Sequence, residues 1–91
     1  MNNLRYDLVD LRLYVNIAEA GNLTRGAERS HLSVGAASMR IKNLEEALDT
    51  QLFTRSSQGL ALTPAGETLL AHAHRVFKEL ERLHGGVQGF S

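Results

Sequence analysis

The sequence contains no cysteine, so neither disulfide bonds nor thiolate chemistry can contribute to this protein. It has no tryptophan and only 5% aromatic residues, which predicts a core built mainly of Leu, Ala, Val and Ile. Its apolar runs are only a few residues long, which indicates neither a membrane span nor a signal peptide. No repeat or low-complexity tract is present. The 91 residues therefore predict one domain with a modest core, in a reducing cytoplasm.

The chain also lacks a charge excess, since ten basic and ten acidic residues give a net charge of zero. Strong nonspecific binding to polyanions is therefore not expected, because Lys and Arg that neutralise phosphates supply most of that affinity. The charges are unevenly distributed. Between residues 22 and 44 a single acid, Glu28, accompanies four bases, Arg25, Arg29, Arg40 and Lys42. A locally basic tip on a neutral body permits DNA binding without requiring it.

No catalytic or metal-binding constellation is recognisable. The histidines are His31, His72, His74 and His84. His72 and His74 are two positions apart and cannot share a helical face, and no acid or cysteine completes a cluster with them. The sequence has no nucleophile paired with a base and no glycine-rich phosphate loop after a strand. We therefore expect no enzyme, no metal site and no cofactor in this domain.

Residues 22–48 predict two helices joined by a tight polar turn. Asn22 and Ser33 are the expected N-caps, because their side-chain oxygens can accept from N–H groups of the first helical turn. The second helix is expected to bury a stripe at helical spacing, Ala37, Ile41, Leu44 and Leu48. This is the helix-turn-helix plan, in which the second helix enters the DNA major groove. Taken alone, the stretch fits a helical hairpin of any small α domain equally well.

The opposite face of the second helix carries small residues near its N-terminus and is unobstructed there. At about 100° per residue, four side chains point away from the buried stripe: Gly35, Met39, Lys42 and Glu46. The N-terminal end of this face could approach another molecule closely. Gly26, in the first helix of the pair, costs about 1 kcal/mol relative to Ala, and close packing against a neighbouring helix would explain it.

The flanking segments predict a further helix and a hairpin. After a loose arm over residues 1–6, Asp7 is expected to cap a helix that runs to about Ala20 and ends at Gly21. Residues 52–63 contain two short apolar runs around a Ser/Gly-rich turn, which predicts a β-hairpin packed on the helices. A projecting hairpin after a helix-turn-helix is a wing. Arg55 at its base is expected to reach a phosphate, the alternative being a surface charge or an ion pair.

Thr63 and Pro64 are expected to begin a last helix of about 20 residues. A heptad-like apolar seam runs along it, formed by Leu69, Leu70, Ala73, Val76, Phe77, Leu80 and Leu83. The predicted occupant of this seam is the same helix of a second copy, and the alternative is that the helix folds back on its own domain. Gly85 and Gly86 are expected to end the helix.

Six stretches match one protein family in order and spacing: residues 11–21, 23–29, 31–33, 41–48, 52–55 and 62–66. On these residues the chain resembles the N-terminal DNA-binding domain of LysR-type transcriptional regulators. The resemblance implies a mainly α fold with a small β-hairpin, which is a winged helix-turn-helix over residues 1–63. It also implies a linker helix over residues 64–84 that pairs antiparallel in a dimer. Residues 85–91 would then begin a hinge to an effector domain.

The resemblance further implies a bacterial, cytoplasmic regulator that binds double-stranded DNA at an interrupted inverted repeat. Residues 33–48 would be the recognition helix in the major groove, and residues 52–63 the wing on the backbone or minor groove. RNA polymerase is a candidate partner, and a membrane is not. The competing interpretation is a winged-helix protein-interaction module that does not bind DNA.

The predicted DNA contacts are Thr24, Arg25, Ser33, Val34, Gly35, Ala36, Ser38, Met39, Arg40, Lys42, Arg55, Ser57 and Gln58. Ser33 and Ser38 are expected on phosphates, and Arg40 on the backbone rather than on bases. Lys42 is expected either on a phosphate or in solvent. Ser57 and Gln58 would lie in the minor groove or form a plain loop, and His31 is expected to make a structural hydrogen bond in the turn.

Four positions depart from the family pattern. The family commonly has Gln-Pro where this chain has Val34 and Gly35, and often Arg where it has Met39. The Gly of the family's Leu-Gly pair is Asp49 here. The usual polar base contacts are therefore missing, and Met39 could instead touch a thymine methyl group, as could Val34 if the helix tilts.

Overall fold

The computed structural model describes residues 4–90. Along the chain it contains α1 (Leu8–Ala20), α2 (Leu23–Arg29), α3 (Val34–Leu48), β1 (Phe53–Ser56), β2 (Gly59–Leu62) and α4 (Pro64–Gln88). The predicted mainly α fold with a small β-hairpin is confirmed. The first half of the predicted arm, residues 1–3, and the last residue of the predicted hinge, Ser91, lie outside the described residues.

Arg5 and Tyr6 precede α1 and contact the domain, so this part of the predicted loose arm is not loose. Tyr6 is partly buried and packs against the core. Nη2 of Arg5 donates a long hydrogen bond of 3.5 Å to the carbonyl oxygen of Glu46 in α3. The segment therefore lies along the domain, because its aromatic side chain finds apolar surface there.

Each helix begins at a residue whose side chain caps it. In all four helices the cap oxygen accepts a hydrogen bond from the backbone N–H three positions further on, which satisfies one free donor of the first turn. The caps are Asp7, Asn22, Ser33 and Thr63. Gly21 ends α1 in the left-handed conformation at φ 67°. The predicted starts of all four helices and the end of α1 are thereby confirmed.

The core lies where α1, α2, α3 and the hairpin meet. Its buried members are Leu13, Tyr14, Ile17, Ala27, Ala37, Ile41, Leu44, Leu52 and Phe53. Fully burying a large apolar side chain contributes roughly 1.5–3 kcal/mol, so a few such residues can hold a small domain together. The predicted stripe of α3 is confirmed, since three of its four residues are buried and Leu48 packs partly buried against them. A Cβ on Gly26 would overlap Ile17, which confirms the close packing of α2 on α1.

Helix α1 is hydrogen-bonded to the elements around it. The hydroxyl of Tyr14 donates to the carbonyl oxygen of Gly66 in α4, and Nδ2 of Asn16 donates to Oγ of Ser30 after α2. The backbone N–H of Leu60 in β2 donates to the carbonyl oxygen of Gly21 at 3.2 Å. Helix α1 therefore fixes where α2, the hairpin and α4 lie relative to one another.

The hairpin packs on the helices as predicted. Strands β1 and β2 pair antiparallel, with Phe53 opposite Leu62 and Arg55 opposite Leu60. Leu60 and Leu62 pack against the core, while Ala61 between them is exposed. This alternation is the period of two expected of a half-buried strand, so the apolar face of the hairpin holds it to the domain.

Helix α4 is longer than predicted. It spans 25 residues and runs through Gly85 and Gly86, which the sequence predicts as its end. A glycine inside a helix is destabilising by roughly 0.5–1 kcal/mol relative to Ala, and it does not by itself end the helix. The predicted end of the last helix at residue 84 is therefore wrong, since residues 85–88 are helical, and the hinge predicted over residues 85–91 stays a prediction.

The predicted dimer seam on α4 divides into two halves. Leu69 and Leu70 pack partly buried against the domain's own core, and Ala73 is only 1% exposed. Ala73 is therefore covered by its own domain rather than free for a partner, whereas Leu69 and Leu70 are only partly covered and their role in a dimer stays a prediction. Further along, Val76 and Leu83 are exposed and Phe77 and Leu80 are half-buried. A role in a dimer stays a prediction for this second half.

Candidate nucleic-acid interface

The turn between α2 and α3 is held by its own backbone. His31 adopts the left-handed conformation at φ 58°, and its N–H donates to the carbonyl oxygen of Glu28 at 3.1 Å. The N–H of Leu32 donates to the carbonyl oxygen of Ala27 at 2.9 Å, and its side chain packs against the core. The structural hydrogen bond expected of His31 is therefore made by its backbone. The turn sets the angle at which α3 leaves α2.

Helix α3 presents the face that the sequence predicts. Gly35, Ala36 and Lys42 are exposed, and Met39 is 58% exposed. Apart from the neighbouring residues of its own helix, no atom lies within 4 Å of the position that a Cβ on Gly35 would take. Val34 is 44% exposed, although its angle on the helix places it nearer the buried side. The first two turns of α3 thus offer an unobstructed surface to a second molecule.

Polar and basic side chains meet in a cleft on the hairpin side of this surface. Ser38 and Lys42 of α3 and Arg55 of β1 line one cavity of about 370 Å³. Glu45 also lines it, and its Oε2 accepts a hydrogen bond of 2.8 Å from the N–H of Leu52. Among residues 4–90, neither Lys42 nor Arg55 forms an ion pair. Two free cations beside a hydroxyl are the groups that bind a phosphate oxygen.

Arg40 lies on the other flank of α3 and is directed at α1. Its Nη1 is 2.8 Å from Oδ1 of Asp10, which is buried, and 3.8 Å from Oδ1 of Asp7. The hydrogen bond to Asp10 raises the pKa of Arg40. The hydrogen bond that the backbone N–H of Asp10 donates to Asp7 is the main cause of the lowered pKa of Asp7. The positive charge of Arg40 lowers this pKa further. The DNA contact expected of Arg40 stays a prediction, but its guanidinium is already bound within the domain.

The other predicted contacts lie apart from the cleft. Thr24 and Arg25 are exposed at the start of α2, and Ser57 and Gln58 are exposed at the tip of the hairpin. Ser33 is exposed and caps α3. The structure therefore brings together Ser38 and Lys42 of α3 and Arg55 at the base of the hairpin.

Two residues that shape this interface are absent from the sequence-based prediction. Asp10 forms a reciprocal capping box with Asp7 and at the same time accepts from Arg40. An acid three positions after a cap is the pattern of such a box, so the first of these roles could have been recognised. Glu45 orients the start of the hairpin through Leu52, and nothing in the sequence indicates that bond.

Residues 4–90 contain neither a metal-binding cluster nor a membrane-spanning helix. No three His, Cys, Asp or Glu side chains of that part of the chain lie close enough together to hold a metal ion. None of its helices is long and apolar enough to cross a membrane.

Residues 8–67 match the family described as bacterial regulatory helix-turn-helix protein, lysR family. The chain belongs to the LysR family. Its helix-turn-helix is therefore that of a LysR-type DNA-binding domain. The matched range covers the first three helices, the hairpin and the start of α4, which is the part that builds the interface.

Named relatives and solved structures agree with the family. The chain is 41% identical over 71 residues to the HTH-type transcriptional regulator YofA of Bacillus velezensis. This match covers 78% of this chain and 25% of the relative. It is 37% identical over 81 residues to the HTH-type transcriptional regulator CfxR of Cupriavidus necator, covering 89% of this chain and 26% of the relative. The chain thus spans about a quarter of the length of these LysR relatives.

Two crystal structures similar to this chain contain DNA. The structure of the CbnR_DBD-DNA complex has a TM-score of 0.84 and 30% identity, and the match covers 91% of this chain and 95% of that chain. The structure of the BenM_DBD/catB site 1 DNA complex has a TM-score of 0.87 and 26% identity, over 92% of this chain and 94% of that chain.

Proposed function

We propose that this LysR-family domain binds double-stranded DNA sequence-specifically, as a homodimer, at an interrupted inverted repeat. The observation that carries the proposal is the unobstructed outer face of α3 with free cations beside it. Gly35 leaves room for close approach, Met39 is exposed on the same face, and Lys42 and Arg55 form no ion pair within residues 4–90. The similar folds of the CbnR and BenM complexes with DNA support it.

In this proposal α3 enters the major groove with its N-terminal turns against the base edges. Ser33 and Ser38 contact phosphates, and the partial positive charge at the N-terminus of α3 adds to the attraction. Lys42 and Arg55 bind the backbone on the hairpin side. Thr24 and Arg25 contact the backbone across the groove. Such contacts fix the register of the helix without reading sequence.

The hairpin acts as a wing. Its anchored base places Arg55 beside α3, and its exposed tip, Ser57 and Gln58, extends beyond the core toward the backbone or minor groove. Because the bond from Leu60 to Gly21 ties the hairpin to α1, the wing and α3 would approach DNA as one rigid body.

The homodimer would form through the second half of α4. Val76, Leu80, Leu83 and Val87 are spaced at four, three and four residues, and three of them are exposed while Leu80 is half-buried. This is the spacing of a coiled-coil seam, and it continues beyond residue 84. A symmetric pair of copies reads two half-sites of opposite direction, which is an inverted repeat.

We also propose a role in bacterial transcription regulation, in the cytoplasm where the DNA lies. The domain needs no cofactor or metal for this role, and it acts as a binding module rather than as an enzyme. RNA polymerase is the proposed partner of the full regulator.

Selection from a random pool of duplex DNA tests the proposal. We expect enrichment of an interrupted inverted repeat. We also expect log affinity to fall linearly with log salt concentration, with a slope of about 0.9 per neutralised phosphate. No binding even at low salt would contradict the proposal and favour a winged-helix protein-interaction module.

A further inference from the structure

The first two turns of α3 expose apolar side chains where a major-groove helix meets base edges. Val34 and Met39 are exposed, and Gly35 and Ala36 between them are small and exposed. None of these four side chains carries a hydrogen-bonding group stronger than the thioether of Met39. The surface that would face the bases therefore suits an apolar group better than a polar one.

The guanidinium of Arg40, the residue that follows Met39, is held away from that surface by α1. Nη1 of Arg40 donates a hydrogen bond of 2.8 Å to Oδ1 of Asp10, whose side chain is only 12% exposed. Oδ2 of Asp10 accepts a second hydrogen bond, from the N–H of Asp7 at 3.0 Å, so the carboxylate is fixed from two sides. If Arg40 turned toward DNA, it would leave this nearly buried carboxylate without its cation, which is unfavourable.

The remaining polar groups of α3 lie on its hairpin flank. Ser38 and Lys42 line the cleft that also contains Arg55, on the opposite side of the helix from Arg40. That flank is suited to phosphate contacts, which position the protein without reading bases. The choice of base is therefore left to two apolar side chains, Met39 between the two flanks and Val34 at the N-terminal end of the helix.

The major groove offers one apolar group, the 5-methyl group of thymine, whereas guanine presents two acceptors that favour Arg or Lys. We propose that this domain reads thymine methyl groups through Val34 and Met39. Asp10 binds Arg40 and so prevents that arginine from contacting guanine. This inference rests on the proposed DNA-binding function. Asp10 is a positioning residue in it, since it acts through Arg40.

Deoxyuridine tests the methyl contacts directly, because it differs from thymine only by the missing methyl group. The affinity for the selected duplex is measured first, and each thymine of one half-site is then replaced in turn. We expect a loss of roughly fourfold at one or two positions, which corresponds to about 0.8 kcal/mol for one buried methyl-sized group. Each of the two side chains should account for the loss at the thymine that it contacts. In Met39→Ala or Val34→Ala, replacing that thymine with deoxyuridine should therefore cause no further loss of affinity. Lys42→Ala is the control and should weaken thymine and deoxyuridine duplexes equally.

A second experiment tests Asp10. Asp10→Asn keeps a side-chain oxygen for the N–H of Asp7 but removes the charge that holds Arg40. We expect the sites selected by this variant to gain guanine at one position of each half-site. Asp10→Asn combined with Arg40→Gln should not gain it, and Arg40→Gln alone should keep the thymine preference. A merely structural role of Asp10 would lower affinity for all sequences and leave the preferred bases unchanged.

The outcomes separate this inference from the function on which it rests. Absence of binding to any duplex overturns both. Sequence-specific binding with equal affinity for thymine and deoxyuridine at every position overturns the methyl contacts alone. Unchanged base preference in a folded Asp10→Asn variant overturns the role of Asp10 alone.

Discussion

The hydroxyl oxygen of Tyr14 lies 2.6 Å from the carbonyl oxygen of Gly66 and donates a hydrogen bond to it inside the core. The two residues are 52 positions apart, so this single bond joins α1 to the first turn of α4. The ring of Tyr14 also packs on Phe53, with ring centroids 5.1 Å apart. The first helix, the hairpin and the long helix therefore meet at one side chain.

Tyr14→Phe should lower the free energy of unfolding by about 1–2 kcal/mol, because the ring stays and the buried carbonyl of Gly66 loses its donor. Urea denaturation followed by circular dichroism measures this. A variant as stable as the wild type would show that the bond contributes nothing net.

The same hydroxyl predicts a dependence on alkaline pH. Burial, together with the negative charge of Glu45, raises the pKa of Tyr14 from 10.0 to about 12. Folding therefore favours the neutral phenol, so its contribution is complete below pH 10 and is lost as the pH rises toward 12. The stability difference between the wild type and Tyr14→Phe should narrow across this window. A constant difference would contradict the prediction.

Gly66→Ala should be strongly destabilising. A Cβ there would overlap the carbonyl oxygen of Leu52 and lie 2.9 Å from the hydroxyl of Tyr14. Because backbone cannot move aside easily, we expect a loss of roughly 2–3 kcal/mol in the free energy of unfolding. Gly86→Ala is the matched control, since no atom lies within 4 Å of its added Cβ. It should be neutral or stabilising, by up to about 1 kcal/mol.

Asp49→Gly should stabilise the protein. Asp49 ends α3 in the left-handed conformation, at φ 50° and ψ 44°. A residue with a side chain is about 1–2 kcal/mol less stable there than in the right-handed region. Glycine avoids this strain, but it loses more backbone entropy on folding, which offsets part of the gain. We expect a net gain of roughly 0.5 kcal/mol, and no gain for Asp49→Ala. Equal stability of the two variants in chemical denaturation would contradict the prediction.

Arg55→Ala should weaken binding to all DNA sequences about equally. Its guanidinium lines the cleft beside α3 without an ion pair to any residue from 4 to 90, which suits a phosphate contact. The slope of log affinity against log salt should fall by about 0.9. Arg75→Ala removes the same charge from exposed α4 and is the control. A loss confined to certain bases would assign Arg55 to base reading instead.

Leu83→Glu should convert a dimer into a monomer. Leu83 is 58% exposed on the second half of α4, so a charge there disturbs a partner and leaves the domain folded. Ala71→Glu places the same charge on another exposed position of α4 and should keep the dimer. Sedimentation at micromolar concentration distinguishes the two. A monomeric wild type would refute the dimer.

Local features of this fold could be predicted from the sequence. The caps Asp7, Asn22 and Ser33 act on N–H groups three positions away, so a short sequence pattern contains both partners. The exposed face of α3 follows from helical periodicity in the same way. These predictions need no knowledge of distant contacts, which is why they are confirmed.

The features that sequence reasoning missed depend on distant residues or on small energies. Arg40 and Asp10 are 30 positions apart, and no pattern indicates that they meet. Ala73 has the spacing of a dimer seam, but only the packed fold shows that the domain itself covers it. Gly85 and Gly86 each disfavour a helix by only about 1 kcal/mol, which neighbouring residues can outweigh.

Helix α3 is held to the domain from its inner side, where Ala37, Ile41 and Leu44 are buried, and by the pair of Arg40 with Asp10. On its outer face Met39 is 58% exposed, and a Cβ added at Gly35 would point into open space. Substitutions at such exposed positions typically change stability by no more than about 0.5 kcal/mol. Under the proposed function, mutations on this face can therefore alter the preferred operator while the protein stays folded. Duplicated copies of this domain are free to acquire new regulatory targets without passing through an unstable ancestor.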